Sequence, residues 1–172
     1  SGEIGMNVNL YGCRGKWLMV DLGMTFGMNE YPGVDLVFAD LEFIENEREN
    51  LLGVVLTHAH EDHIGAVAWL WPQLRCPVYA TPFAAAVLRR KLAEVQLVPE
   101  VKLHIVPPGG AIELPPFSLR FIRVAHSIPE AQALAITTPH GIVLHTGDWK
   151  LDPQPLIGSP TDESAFAALG ER

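Results

Sequence analysis

The stretch Thr57-His58-Ala59-His60-Glu61-Asp62-His63-Ile64-Gly65 follows directly on the apolar run Gly53-Val54-Val55-Leu56. A short apolar run that stops at a polar cluster reads as a buried strand ending there. Residues two apart on an extended chain point the same way, so His58 and His60 can converge on one cation as the strand runs out. Asp62 and His63 lie past the bend and open the amphipathic run Ile64 to Trp71; from a helix start they aim at a neighbouring point. The spacing therefore points to two adjacent metal ions. A plain strand-to-helix connection, with Asp62 as N-cap and histidines in solvent, explains a single His or Asp but not this density.

Outward from that stretch, Asn7 to Tyr11 and Lys16 to Asp21 read as strands of a hairpin turning through Gly12 to Gly15. Gly23 to Phe38 reads as an irregular loop with a short strand at Leu36 to Phe38, and Glu42 to Asn50 as a surface helix anchored by Phe43 and Ile44. Ile64, Val67, Ala68 and Trp71 form a helical stripe that Pro72 is expected to stop, with Trp69 and Trp71 packing inward. After a strand at Val78 to Ala80, Thr81 is expected to cap a helix opening at Pro82, with Phe83, Val87, Leu88 and Leu92 inward and Arg89, Arg90 and Lys91 outward. Lys102 to Val106, Ala111 to Leu114 and Leu119 to Val124 read as a three-stranded meander, in which His104 lacks a ligand pattern. Ala133 to Thr138 and Gly141 to His145 form a hairpin with His140 in its turn, and Thr161 to Leu169 a last helix capped by Thr161.

With 172 residues, 48% of them hydrophobic, the chain has enough material for one domain with a core. No apolar run approaches the roughly 18 residues of a membrane span, and no signal-type segment opens the chain, so a cytoplasmic protein without a membrane partner is expected. Cys13 and Cys76 stand apart from any metal or redox spacing and are expected to be reduced. Twelve basic against twenty acidic residues give a formal net charge of −8, which argues against a generic nucleic-acid-binding surface.

The motif H-x-H-x-D-H resembles the signature of metallo-β-lactamase fold hydrolases. Further blocks, in order, resemble the ribonuclease J family: Gly2-Glu3-Ile4-Gly5-Met6-Asn7, Val20-Asp21-Leu22-Gly23, Pro32-Gly33-Val34-Asp35, Tyr79-Ala80-Thr81-Pro82, His126-Ser127-Ile128-Pro129 and His145-Thr146-Gly147-Asp148-Trp149-Lys150. The last two are more specific to that family than the histidine motif alone. The resemblance implies an α/β fold of the αββα sandwich type, with two mixed sheets packed face to face and helices outside, present here in its N-terminal portion. Family members are longer, with a β-CASP domain and a further metal-binding histidine downstream. The chain is thus expected to be one truncated metallo-β-lactamase-like domain over residues 1–172.

The resemblance also assigns the site. His58, His60, His126 and Asp148 are the expected ligands of one metal, and Asp62, His63 and Asp148 of the other, with Asp148 shared and Asp21 supporting the metal loop by hydrogen bonds. His145 is expected to stand behind the ligands. Nitrogen and oxygen donors suit Zn²⁺ or Mn²⁺ alike. The implied reaction is hydrolysis of RNA phosphodiesters by a hydroxide held at the dinuclear site, with Asp62 and Asp148 in catalytic positions. It would be 5′-to-3′ exonucleolytic with endonuclease activity on a 5′-monophosphate RNA partner, with homo-oligomers possible. Two alternatives stay open: a metallo-β-lactamase fold hydrolase of a small thioester or lactam, and a metal-binding piece without activity.

Overall fold

In the computed structural model, which describes residues 5–27 and 32–171, alternating strand residues sort the core into layers. Strands β1 (Asn9–Cys13) and β2 (Lys16–Val20) pair antiparallel through a turn at Arg14 and Gly15, both at positive φ. Strand β3 (Met24–Phe26) lies in the segment expected to be irregular, so that part of the expectation is corrected among the described residues; it pairs antiparallel with β4 (Leu36–Phe38), the strand expected at Leu36 to Phe38. Helix α1 (Glu42–Asn46) and a 3₁₀ turn at Arg48–Asn50 lead into β5 (Leu51–Val55). After the histidine stretch come α2 (Glu61–Ile64), α3 (Val67–Leu74), β6 (Val78–Ala80) and α4 (Pro82–Glu94). Strands β7 (Leu103–Ile105), β8 (Ala111–Leu114), β9 (Phe117–Arg123), β10 (Gln132–Thr138) and β11 (Gly141–His145) follow, and then α5 (Glu163–Gly170).

The strands form a five-stranded sheet in the order β1-β2-β5-β6-β7 and a four-stranded sheet in the order β11-β10-β9-β8. The first is mixed, since β2, β5, β6 and β7 run parallel; the second is wholly antiparallel rather than mixed. Leu18, Val20 and Val55 face the second sheet and meet Phe117, Phe121, Leu134 and Ile136. Met19 and Val54, one residue away on the same strands, face the helices and meet Ile64, Val67, Trp71 and Leu88. On the far side of the antiparallel sheet, Ile122, Ala133 and Ala135 pack under Ala165 of α5. Period-two strands buried on both faces thus give the order helices, sheet, sheet, helix. Among the described residues no helix is long and apolar enough to cross a membrane.

Several local expectations are corrected. Pro72 lies inside α3, which runs on to Leu74 and ends at Arg75 in a left-handed conformation. A proline removes one helical hydrogen bond, a loss offset here by the burial of Trp71 and Leu74 on either side. Trp69 is exposed, whereas Trp71 is buried with its indole donating to the Cys76 carbonyl at 2.7 Å. Strand β7 leaves the expected meander and pairs with β6, and Pro107 to Gly110 carries the chain across to the other sheet. Asp162, not Thr161, caps α5, because the Thr161 hydroxyl is occupied by the Ala125 N–H and the Lys150 carbonyl. Cys13 and Cys76 are free and buried, and burial raises the Cys76 thiol to about 12.

Candidate metal centre

The two sheets open at the ends of β2, β5, β9 and β11, and each supplies its polar residues there. Leaving β5, the chain bends at Thr57 and reaches His60, whose extended backbone caps α2. It is held by backbone bonds from Asn7 N to the Asp62 carbonyl at 2.8 Å and from Leu22 N to the His63 carbonyl at 2.8 Å. The fit is so close that a Cβ on Gly23 would overlap the Asp62 carbonyl. Gly147, at φ +55, lets the loop after β11 cross Thr57 and bring Asp148 over the histidines.

His58 Nε2 and His126 Nε2 each lie 3.1 Å from His60 Nδ1. Ligand nitrogens on one tetrahedral zinc are separated by about 3.3 Å, given bonds of roughly 2.0–2.1 Å, so His60 stands at ligand spacing from both other imidazoles, and the donor atoms of all three lie within 4.8 Å of one another. His58, His63 and Asp148 form a second group whose donor atoms lie within 4.8 Å of one another. Asp148, with 46% of its side chain exposed, places Oδ1 3.6 Å from His63 Nε2 and Oδ2 3.7 Å from His126 Nε2. It stands between the groups, and buried His58 belongs to both. The Asp62 carboxylate is 3.6 Å from His63 Nε2 and receives the Asn7 amide at 3.2 Å.

Behind the ligands, Asp21 is completely buried at the end of β2, at φ +61. It accepts from Thr57 N at 2.8 Å, from Thr57 Oγ1 at 2.9 Å and from His63 Nδ1 at 2.7 Å. With the Thr57 hydroxyl proton committed to Asp21, His58 Nδ1 donates to Thr57 Oγ1 at 3.0 Å, which leaves the Nε2 lone pair facing His60 and His126. Burial, reinforced by His63, His126 and His60, lowers His58 to about 2. Burial is also the main cause of the lowered values of His126 and His145. For His63 burial acts downward, but the hydrogen bond to Asp21 and the charges of Asp21, Asp62 and Asp148 outweigh it and raise the net value. His126 Nδ1 is buried without a partner among the described residues. Imidazole nitrogens turned on one another at 3.1 Å, with His58 and His126 held toward the neutral form by burial, suit a divalent cation.

His145 stands 4.0 Å from Asp21 and accepts the Tyr11 hydroxyl at Nδ1, 2.9 Å away, outside both groups. His104 is remote, stacked on Tyr79, and His140 is exposed in its turn. Thr57, Asn7 and Tyr11 were not singled out from the sequence. Thr57 and Asn7 adjoin or lie within the motif blocks, which is the signal that marks them, whereas nothing local marks Tyr11.

The metallo-beta-lactamase superfamily model matches residues 5–165. The chain is 49% identical over 174 residues to ribonuclease J of Sinorhizobium meliloti, covering 99% of this chain and 31% of that protein. It is 42% identical over 171 residues to ribonuclease J of Corynebacterium glutamicum, covering 98% of this chain and 23% of that one. The chain therefore spans less than a third of these relatives. In structure it is similar to the metallo-beta-lactamase fold protein YhfI of Bacillus subtilis (TM-score 0.59, 20% identity, 86% of this chain and 56% of that chain). It is also similar to Zn(2+)-bound PqqB of Methylobacterium extorquens (TM-score 0.57, 14% identity, 78% and 50%). Both likenesses concern the fold alone.

Proposed function

The chain belongs to the metallo-beta-lactamase superfamily, and from that premise we propose that it is the metal-binding core of a ribonuclease J-like hydrolase acting on RNA phosphodiester bonds. The observation that carries this reading is the meeting of His58, His60, His63 and His126 with Asp148 at one opening between the sheets, in a chain similar to ribonuclease J throughout its length.

In this reading His58, His60 and His126 hold one divalent cation, and His63, Asp62 and Asp148 the other, with Asp148 between them. The donor set suits zinc or manganese. When bound, such cations lower the pKa of water toward neutrality and offset charge on a phosphoryl group. The protein's own part is to keep His58 neutral through burial, to aim its Nε2 through Thr57, and to hold His63 by Asp21. Beside Asp148 lies a polar cavity of about 300 Å³ lined by Asn7, Asn9, Tyr11, His63 and His145, where a phosphodiester can approach the side-chain amides of Asn7 and Asn9.

Exonucleolytic 5′-to-3′ and endonucleolytic cleavage, the preference for a 5′-monophosphate, a cytoplasmic setting and the RNA grip along a strand are proposed for the whole protein of this kind. A net charge of −8 leaves little on these residues for a polyanion to follow. The test is single-turnover cleavage of 5′-monophosphorylated RNA with Zn²⁺ or Mn²⁺, on this chain and on a full-length protein containing it. Metal-dependent cleavage by the full-length protein is expected, with this chain at least roughly a hundredfold slower. A full-length protein inert on RNA but active on a thioester or lactam would replace the RNA reading.

A further inference from the structure

Helix α4 is tied at both ends to segments that carry metal-site residues, and neither tie was expected from the sequence. At its start Thr81 has the extended backbone of an N-cap, yet makes no side-chain capping bond, and its buried Oγ1 has no partner among the described residues. The Phe83 N–H donates instead to Oε2 of Glu130, 2.7 Å away and 47 residues on in the chain. A carboxylate in that place satisfies an orphan donor and complements the positive end of the helix. Glu130 sits four residues after His126, with its backbone in the left-handed region at φ +58. Gln132 steadies the same loop, donating to the carbonyls of Glu130 at 3.1 Å and Ala131 at 2.8 Å and accepting from Gly109 N at 3.0 Å.

Toward the other end, Lys91, expected to face solvent, lies with Nζ 2.6 Å from Oε1 and 2.8 Å from Oε2 of Glu61. Glu61 stands between His60 and Asp62. Phe83 and Lys91 are separated by about 12 Å of helix at 1.5 Å per residue. Ala84, Ala85, Leu88 and Leu92 fix that length of helix to the core, since all four are buried. The contact between His60 Nδ1 and His126 Nε2, 3.1 Å across, joins one residue from each tethered segment.

We propose, on the reading of His58, His60 and His126 as a metal set, that Glu130 and Lys91 are positioning residues, and that α4 is the strut through which they set the His60–His126 distance for the cation. Taken only as surface pairings they would contribute little, because the Lys91–Glu61 side chains are 24% and 44% exposed. The two roles differ in what they predict. A surface pairing affects melting slightly and leaves the cation alone, whereas a strut affects the cation.

The experiment uses this chain with Glu130→Ala, Glu130→Gln and Lys91→Met. Zn²⁺ affinity is read by competition with a chromophoric chelator, ligand geometry by the visible absorption of the Co²⁺ adduct, and folding by thermal melting. Glu130→Ala and Lys91→Met are each expected to weaken the tighter cation roughly tenfold and to shift the Co²⁺ bands. Glu130→Gln is expected to restore most of both, because the amide oxygen still accepts from Phe83. Folded variants with the parent's affinity and Co²⁺ spectrum overturn the strut, whatever their melting temperatures. If Glu130→Ala fails to fold, Lys91→Met decides by the same two readings. A parent chain that binds no cation sinks the metal centre itself, an outcome distinct from variants that bind as the parent does.

Discussion

His63 Nδ1 and Asp21 Oδ2 are 2.7 Å apart beneath the site, in side chains that are 2% and 0% exposed. The same carboxylate takes the backbone N–H and hydroxyl of Thr57, so the first residue of the histidine stretch and its last histidine share one buried acceptor. An isolated buried carboxylate is costly; one with three donors is tolerated and rigid.

Asp21→Asn tests that arrangement. The amide keeps the shape but has one acceptor oxygen for three donors and carries no charge for His63. A loss on the order of 3 kcal/mol in urea unfolding is expected, with metal affinity falling roughly 10- to 100-fold. Unchanged affinity in a folded variant would show that Asp21 supports only the fold.

His60→Ala should remove the nitrogen that stands 3.1 Å from both His58 and His126. The expected result is a lower ratio of bound zinc or manganese by elemental analysis, with little loss of stability because His60 is only partly buried. If metal content stays at the parent's value even with His58→Ala added, the assignment of this group is wrong.

Asp148→Asn is expected to leave folding within about 0.5 kcal/mol, since the side chain is 46% exposed. It should abolish RNA cleavage by the full-length protein, because a carboxylate between two cations becomes a neutral amide. Near-parental cleavage would remove Asp148 from the chemistry.

The metal-free chain should lose stability as pH falls from about 6.5 to 5. His58, held to about 2 by burial and its neighbouring histidines, stays neutral in the native state while the unfolded chain takes up a proton below about 6.5. The lowered His126 and His145 act in the same direction. His58 alone contributes a slope of up to about 1.4 kcal/mol per pH unit in that window. His63 works the other way: its raised value stabilises the fold below about 6.5, and that contribution fades as pH climbs through the folded value. Urea midpoints measured with chelator at pH 7 and 5.5 check the balance, and equal midpoints would contradict it.

Individual strands and the crowd of histidines were legible because both are local patterns, whereas the sandwich they build followed from the family resemblance of the motif blocks and not from the order of elements. A run such as Leu51–Val55 announces a strand, and H-x-H-x-D-H announces a cation. What stayed hidden depends on partners distant in sequence. Thr81 looks like a cap, but Glu130 performs that task across 47 residues. Lys91 reads as part of a solvated basic triplet until Glu61 is placed opposite it. The short β7 carries no label saying which sheet it joins, and the sequential reading into a meander failed there. Likewise His58 was given to one cation, whereas its place among both donor groups depends on how Asp148 folds over it.

Strand β11 forms one edge of its sheet, and Ile142, Val143 and Leu144 on it are 37–42% exposed, near exposed Trp149 and Leu151. An open apolar edge of this kind templates contact with another copy. At neutral pH the charge of −8 keeps copies apart by mutual repulsion, but the isoelectric point is near 5.3. Colloidal behaviour should therefore turn on acidity: dilute, low-salt solutions near pH 7 stay clear, and the chain clouds as the pH approaches 5.3, with that edge leading the association.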